Sequence, residues 1–431
     1  MKDYLEHIMA HQKKYLGLFS FVVLLIPLLI NFTKSKPVLG GVETYYHLVG
    51  FEFTPWRFAN YISSDLLIFL PMLLGILTVL LFLKIAKLIK LDQKIAVIYL
   101  ILVISSAGFI FAYSTISSYA LYSFFVACGF WLALQKRYKI FSLVPFTLAS
   151  LFDAYSSLLL LALIAIFIGT KLKNIFHWIL FTLVSVLTGI NFLTDKFILG
   201  PFVEQSATSS LISDLGSISG VSFFVVLLAL IGVTVTWQRR KLYTSYGLAV
   251  AVGVVYFIFP QTILLMTMIT CFFAAVAAVY LYDRFWNLSK LRDYTFLLII
   301  LGLVFSNLSY LNRVSEGGPT FDDHNAMLWM KDNVEGVIFS DPDNSYVIRY
   351  ITGKSVVDYP HLKLDIQKNG LQELYVRQLF PILEEQSVDI IFVSEDMRND
   401  LSAEQGLLFL LRNERFKLVH SSGNAEVWSF D

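Results

Sequence analysis

The sequence predicts a polytopic α-helical membrane protein with a small α/β domain after its last span. Three observations carry this expectation. The 431 residues are 57% hydrophobic and only 15% charged, whereas about a quarter of a soluble domain is charged. Several stretches exceed 18 residues with almost no charge, the length that crosses a ~30 Å hydrocarbon core as helix. Charge is also unevenly shared. Residues 312–431 hold 11 Lys/Arg against 20 Asp/Glu, about −9, while the remainder carries about +10.

Taken in order, apolar runs place about eleven spans near 15–32, 64–83, 95–113, 118–135, 140–152, 154–170, 174–192, 220–237, 242–260, 262–282 and 294–311. Lys13 and Lys14 precede the first run in the manner of a signal peptide. The run is long for that role and no small-residue cleavage site follows, so it reads as a retained span. The stretch 139–170 admits one tilted helix or two short ones divided at "LFDAYS", and charge decides between them. With two, 18 Lys/Arg fall on one side and only Lys34, Lys36, Arg57 and Lys196 on the other; with one, the split is 11 to 11. The positive-inside rule favours eleven spans, a cytoplasmic N-terminus and an extracytoplasmic C-terminal domain. The expected organisation is a transmembrane domain over 1–311, with outer loops 33–63 and 193–219, and a soluble domain over 312–431. The chain is expected to be integral to the plasma membrane or its equivalent. Segment 140–152 would be only about 20 Å long as a helix, so it must pack among other helices.

In the tail, "NAMLWMKDNV" predicts an amphipathic helix and "GVIFS" a buried strand. "NSYVIRYITG" predicts a helix ended by Gly353, with Asp343 as its cap. "KSVVDY" and "VDIIFVS" predict strands, 371–386 and "QGLLFLLRN" helices, and "RFKLVHSSGNAEVWSF" a hairpin turned at "SSGN". Strands alternating with helices imply an α/β sandwich.

Several function classes drop out. An acidic tail with scattered basic loops does not make a nucleic-acid surface. Cys128 and Cys271 fall inside apolar runs and read as buried small hydrophobes. No span carries Asp, Glu, Lys or Arg at mid-depth, which disfavours an ion-coupled transporter. His177, a turn into its span, reads as interfacial packing.

The informative stretch is "GGVETYYHL", residues 40–48, in the outer loop after the first span. An acid two residues before Tyr-Tyr resembles the GT-C glycosyltransferases, polytopic enzymes that use lipid-phosphate-linked sugars. In the oligosaccharyltransferase branch the first-loop motif reads Asp-Pro-Tyr-Tyr-His or similar. Glu43, Thr44, Tyr45, Tyr46 and His47 take those places here, with Glu replacing Asp. The protein O-mannosyltransferase branch has Asp-Glu-x-Tyr-Tyr, and Glu43 also matches its Glu. "GPFVEQS" in the long outer loop is similar to the fifth-loop Thr-Ile-x-Glu motif through Glu204. "SDPDNSYVI" lies where that family has Trp-Trp-Asp-Tyr-Gly-Tyr; Asp343 and Tyr346 match, Ser345 replaces Gly, and both Trp are lost. "ITGKSVVDYP" resembles the following helix end and strand in archaeal members. Two features depart from the pattern: "YSTISSYAL" has no acid where a second acidic motif belongs, and "FPQTI" lacks the expected Arg. Without the Trp pair, transfer to Asn in a sequon is not expected.

The resemblance implies sugar transfer from a polyprenyl-phosphate-linked donor to a protein or glycan acceptor outside the membrane. A departing phosphate needs a divalent cation or Lys/Arg, and a carboxylate can deprotonate the acceptor. Glu43, Glu204 and Asp153 are the candidate catalytic carboxylates. Glu43 and Glu204 are the candidate ligands of Mg²⁺ or Mn²⁺, ions that prefer oxygen donors. Tyr45, Tyr46, His47, Asp343 and Tyr346 are the candidate substrate contacts. The alternative without metal sets Glu43 as base and Lys34, Lys36, Arg57 or Lys196 against the phosphate. The competing reading is a catalytically degenerate relative, kept as scaffold or glycan-binding partner in a glycan assembly complex.

Overall fold

Each of the eleven apolar runs contains helix in the computed structural model, which describes residues 11–34, 36–37, 42–49, 56, 64–67, 69–135, 137–152, 154–169, 175–193, 211–215, 220–237, 243–258, 263–284, 289–314, 318–357, 383–384, 387–400, 411 and 415–430. Five helices are long and apolar enough to cross a membrane alone: Gln12–Thr33, Phe69–Leu88, Phe176–Leu193, Ile263–Asp283 and Lys290–Leu311. The run 95–113, expected as one span, is instead two helices, Gln93–Ile104 and Ala107–Ser114, bent by 61°. Counted as one, the pair raises the number to six among the described residues, against the eleven expected. The bend falls at Ser105–Ser106. Ser105 Oγ donates to the Ile101 carbonyl at 2.9 Å, Ser106 Oγ donates to Val103 at 2.6 Å, and Ser106 Oγ accepts from the Phe109 amide at 3.3 Å. Hydroxyls that can bond backbone groups locally compete with the helix ladder, and here they replace it.

Other apolar helices are shorter, among them Lys139–Ser150 and Phe223–Thr236. Large apolar side chains lie exposed along several of these helices. Ser289–Val314 presents Leu298, Leu301, Phe305 and Leu308 to the surroundings, each more than half exposed. Only lipid makes such a surface stable, so the chain is an integral membrane protein. His177 is buried and stacks on Phe167 with ring centroids 5.2 Å apart, the packing role expected of it.

The chain divides into two compact units: Met1–Ile30 with Glu52–Glu316, and Asn31–Phe51 with Gly317–Asp431. In the first, Phe223–Thr236 packs along Ile263–Asp283 with almost no separation. A Cβ at Gly232 would overlap the carbonyl of Phe273, and such backbone-to-backbone approach needs glycine.

The second unit holds a four-stranded sheet ordered β1-β2-β4-β3, where β1 is Val337–Phe339, β2 Val388–Val393, β3 Phe416–Ser422 and β4 Ala425–Phe430. β1 and β2 are parallel, with Phe339 opposite Ile391. β2 and β4 are antiparallel, with Ile391 opposite Trp428. β3 and β4 form the predicted hairpin, turning at Gly423 and Asn424. Of "KSVVDY", Val356 makes a single parallel bridge to Ile338 and no longer strand is described. The predicted helix over "QGLLFLLRN" and most of that over 371–386 lie outside the described residues. Alternate residues of β2 supply two cores. Ile391 and Val393 pack with Phe339, Leu383, Met397 and Phe416 on one face. Ile390 and Phe392 pack with Ala326, Met330, Ile348 and Val427 on the other. A strand covered on both faces must be apolar at nearly every position, which is why "VDIIFV" does not alternate.

Helix Phe321–Asn333 covers the second face. Thr320 and Asp323 form a capping box at its start, and Asp323 also accepts the Glu395 amide at 3.0 Å. Burial pushes the Asp323 carboxyl upward, opposed by the hydrogen bonds it accepts from Thr320 and Glu395. On the same helix burial holds His324 below its ordinary value of 6.5, and its Nδ1 is buried without a hydrogen-bond partner among the described residues. A folded state that refuses a proton the unfolded chain accepts is stable above pH about 6.5 and loses that share as pH falls below it. Between pH 7.5 and 5.5, hydrogen-exchange stability of the β2 and β4 amides is therefore expected to fall less in His324→Phe than in the wild type. An equal fall in both would remove His324 as its source.

Candidate functional site

The first-loop motif forms a helix, Val42–Val49, and this helix belongs to the second unit. Tyr45 is 2% exposed and is part of the second unit's core, beside Ala326, Val347 and Ile351. It meets Tyr350 edge-on with ring centroids 5.6 Å apart, and Tyr46 meets Tyr346 likewise at 5.0 Å. Tyr346 and Tyr350 stand one turn apart on helix Pro342–Thr352, so both fall on the face that receives the motif helix. Burial raises the Tyr45 phenol far above its ordinary value, which keeps it neutral at working pH. Thr44 and Leu48 are buried as well. Positions 43 and 47 are one helical turn apart; at Glu43, His47 and Asp343 the backbone alone is described.

Asp343 does not cap its helix as expected. The helix begins at Pro342, so Asp343 lies inside the first turn and Asp341 precedes it. Proline suits the first helical position because its missing N–H would be unpaired there anyway. Gly353 does end the helix, with φ of +69°.

At the carboxyl ends of the parallel strands β1 and β2, polar groups gather. Asn344 Nδ2 donates to Ser394 Oγ at 3.1 Å and lies 3.6 Å from the Met397 sulfur, while Ser340 Oγ lies 3.5 Å from that sulfur. Helices start after both strands, and open α/β sheets bind ligands at this end. Lys36, one of the candidate phosphate cations, is half-buried in this unit. Desolvation lowers its pKa, opposed by the charges of Asp396, Asp323 and Glu395. Burial therefore outweighs the pull of these carboxylates on its charge. Asp323, Asn344 and Tyr350 escaped sequence reasoning; the signal for Asp323 was present, as "PTFDD" before an apolar periodic run is an N-cap pattern.

Glu204 and Asp153 lie outside the described residues. The far end of Glu204's loop is fixed: Asp214 Oδ2 accepts the Phe223 amide at 2.6 Å, and Ile212 bridges to Val221. The acid-free "YSTISSYAL" is a web of hydroxyls and aromatic rings. Tyr113 OH donates to Thr78 Oγ1 at 3.0 Å and lies 2.5 Å from Ser123 Oγ. The fully buried Trp56 donates its indole N–H to the Ser117 carbonyl at 2.8 Å. No group of three or more His, Cys, Asp or Glu able to hold a metal ion occurs among the described residues.

A helical membrane unit joined to a small α/β unit that holds the first-loop helix defines the class of fold. No family model matches the chain, and no curated protein matches it in sequence. Solved structures do. The chain is similar to the apo crystal structure of the Archaeoglobus fulgidus oligosaccharyltransferase, with a TM-score of 0.59 and 12% identity over 90% of this chain and 70% of that one. Against that oligosaccharyltransferase in complex with Zn and sulfate the TM-score is 0.56 at 13% identity, over 89% and 68%. Against the oligosaccharyltransferase AglB from A. fulgidus with an inhibitory peptide and a dolichol-phosphate it is 0.51 at 11%, over 90% and 70%. The chain therefore shares the fold of these oligosaccharyltransferase structures.

Proposed function

We propose that the protein is a membrane glycosyltransferase that moves a sugar or oligosaccharide from a polyprenyl-phosphate-linked donor to a protein or glycan acceptor outside the membrane. The observation that carries this reading is the docking of the "ETYYH" helix on the "DNSY" helix, two motifs about 300 residues apart, in a chain with the oligosaccharyltransferase fold. That AglB was solved with a dolichol-phosphate and an inhibitory peptide supports a lipid-linked donor and a peptide-like acceptor. The reading includes eleven spans, a cytoplasmic N-terminus and an extracytoplasmic second unit.

In this mechanism Glu43 takes the proton of an acceptor hydroxyl as its oxygen attacks the anomeric carbon and the bond to phosphate breaks. His47, one turn on, and Asp343 orient the acceptor. Tyr45, Tyr46 and Tyr346 hold the motif helix through their rings. In the metal-assisted alternative, Glu43 and Glu204 would instead hold a hard Mg²⁺ or Mn²⁺ with several waters, which would neutralise the departing phosphate. Asp153 stands as the replacement for the missing second acidic motif.

Lipid-linked sugar transfer by full-length protein in native membranes tests this. Glu43→Gln is expected to lower transfer by about 10²–10⁴-fold, the usual worth of a positioned base. Loss on chelation, restored by Mn²⁺, is expected if a cation assists. A folded wild type that transfers nothing from any polyprenyl-phosphate donor would sink the reading in favour of the scaffold. That second reading has its own support in the hydroxyl and aromatic packing of "YSTISSYAL", where no carboxylate stands.

A further inference from the structure

We infer that Tyr346 and Tyr350 are positioning residues that set Glu43 through the motif helix, so the C-terminal unit carries the proposed base. This rests on the transferase reading for its catalytic part and on geometry alone for its structural part.

The motif helix is only eight residues long, too short to be stable by itself in water. Its fixed geometry must come from what it packs on. Tyr45 and Tyr46 each meet a ring on one helix, Pro342–Thr352, and the two rings they meet are spaced one turn apart on it. Tyr45 is sunk in that unit's core, which fixes the depth of the helix. Tyr46, one position on, points about 100° away around the axis and meets the second ring, which fixes rotation. A helix held in depth and rotation has every other position set, including 43 and 47. The receiving helix is anchored in turn: Val347 and Ile348 are fully buried in the core, and Arg349 donates to the Val356 carbonyl at 2.9 Å. The contacts that hold the motif helix are made by the rings of Tyr346 and Tyr350, so Phe at both positions should preserve them.

The test uses the full chain in lipid nanodiscs, comparing wild type with the double variants Tyr346→Ala/Tyr350→Ala and Tyr346→Phe/Tyr350→Phe. Amide exchange is read over 43–49, with β2 and β4 as the folding control. Losing two edge-on ring pairs is expected to speed exchange at 43–49 by roughly tenfold to a hundredfold while β2 and β4 stay protected. Transfer turnover should fall, and the Phe pair should restore both turnover and slow exchange. Tyr46→Ala removes one ring from the loop side and serves if the Ala pair unfolds the sheet. Unchanged exchange at 43–49 in both Tyr46→Ala and the Ala pair would overturn the docking. Faster exchange with unchanged turnover would overturn the positioning role, and failure of Phe to rescue turnover would overturn action through ring shape. An inactive wild type with ring-dependent exchange would overturn the transferase reading and, with it, the catalytic half alone.

Discussion

Replacing Gly232 by leucine is expected to separate the two most closely packed helices of the membrane unit and to cost about 3 kcal/mol or more. A side chain at 232 has nowhere to go. The obstacle is the Phe273 carbonyl, which is backbone and cannot rotate aside. The facing wall is itself immobile, since Phe273, Ala274 and Ala277 are buried to within a few per cent. Tyr246 stacks on Phe273 and donates to the Val233 carbonyl at 3.0 Å, so a third helix would be displaced together with the first two. Gly247 on that third helix is the control. It has open space around it, and Gly247→Ala should leave stability unchanged or raise it by up to about 1 kcal/mol. Thermal inactivation in nanodiscs would read both. A Gly232→Leu protein that melts with the control would show that the helices sit further apart than described.

Asp323→Ala is expected to destabilise the second unit by about 2–4 kcal/mol. The side chain is 1% exposed and its two oxygens accept three bonds: the Thr320 amide at 2.8 Å, the Thr320 hydroxyl at 3.0 Å and the Glu395 amide at 3.0 Å. Loss of a helix cap costs about 1 kcal/mol, and a buried amide left unpaired costs about 1–3 kcal/mol. Relief from burying a carboxylate offsets part of this, as its raised pKa indicates. The sign of the pH effect follows. A carboxyl whose folded pKa lies above the ordinary 3.8 contributes fully below that pH and loses the contribution as pH rises through the folded value. Asp323 therefore works against acid unfolding, and the variant's acid limb should be steeper. Exchange of the β4 amides as a function of pH measures both effects. Unaltered protection in the variant would mean that neither the cap nor the Glu395 bond supports the sheet.

Much of the fold was legible because its signals are local. Apolar length marks the long helices, "SSGN" marks the hairpin, and the unbroken "VDIIFV" marks a strand covered on both faces. Gly353 stops its helix where the sequence says it should. What was not legible depends on competition between neighbours or on distant contact. The run 95–113 is apolar enough for a continuous span, and only the pair Ser105–Ser106 hints at the interruption. Asp343 looks like a cap until Pro342 is weighed, because proline's fixed φ lets the helix start one residue before it. The docking of Val42–Val49 on Pro342–Thr352 has no local signature, since each helix shows only that it has rings to bury. Lys36 looked like a phosphate partner in an outer loop with few cations, and its acidic neighbours come from parts of the chain some 300 residues away. Glu43, Tyr45, Tyr46 and His47 stand out by motif alone, and packing accounts for the two tyrosines.

The bend at Ser105–Ser106 has a mechanical meaning. One hydroxyl, that of Ser106, closes the first half-helix by bonding Val103 and opens the second by accepting from Phe109. Neither half relies on the other for its own ladder, so changing the angle between them breaks few backbone bonds. The two halves can thus be set at the angle that suits the neighbours of each, the second being tied through the fully buried Tyr113 to Thr78 and Ser123.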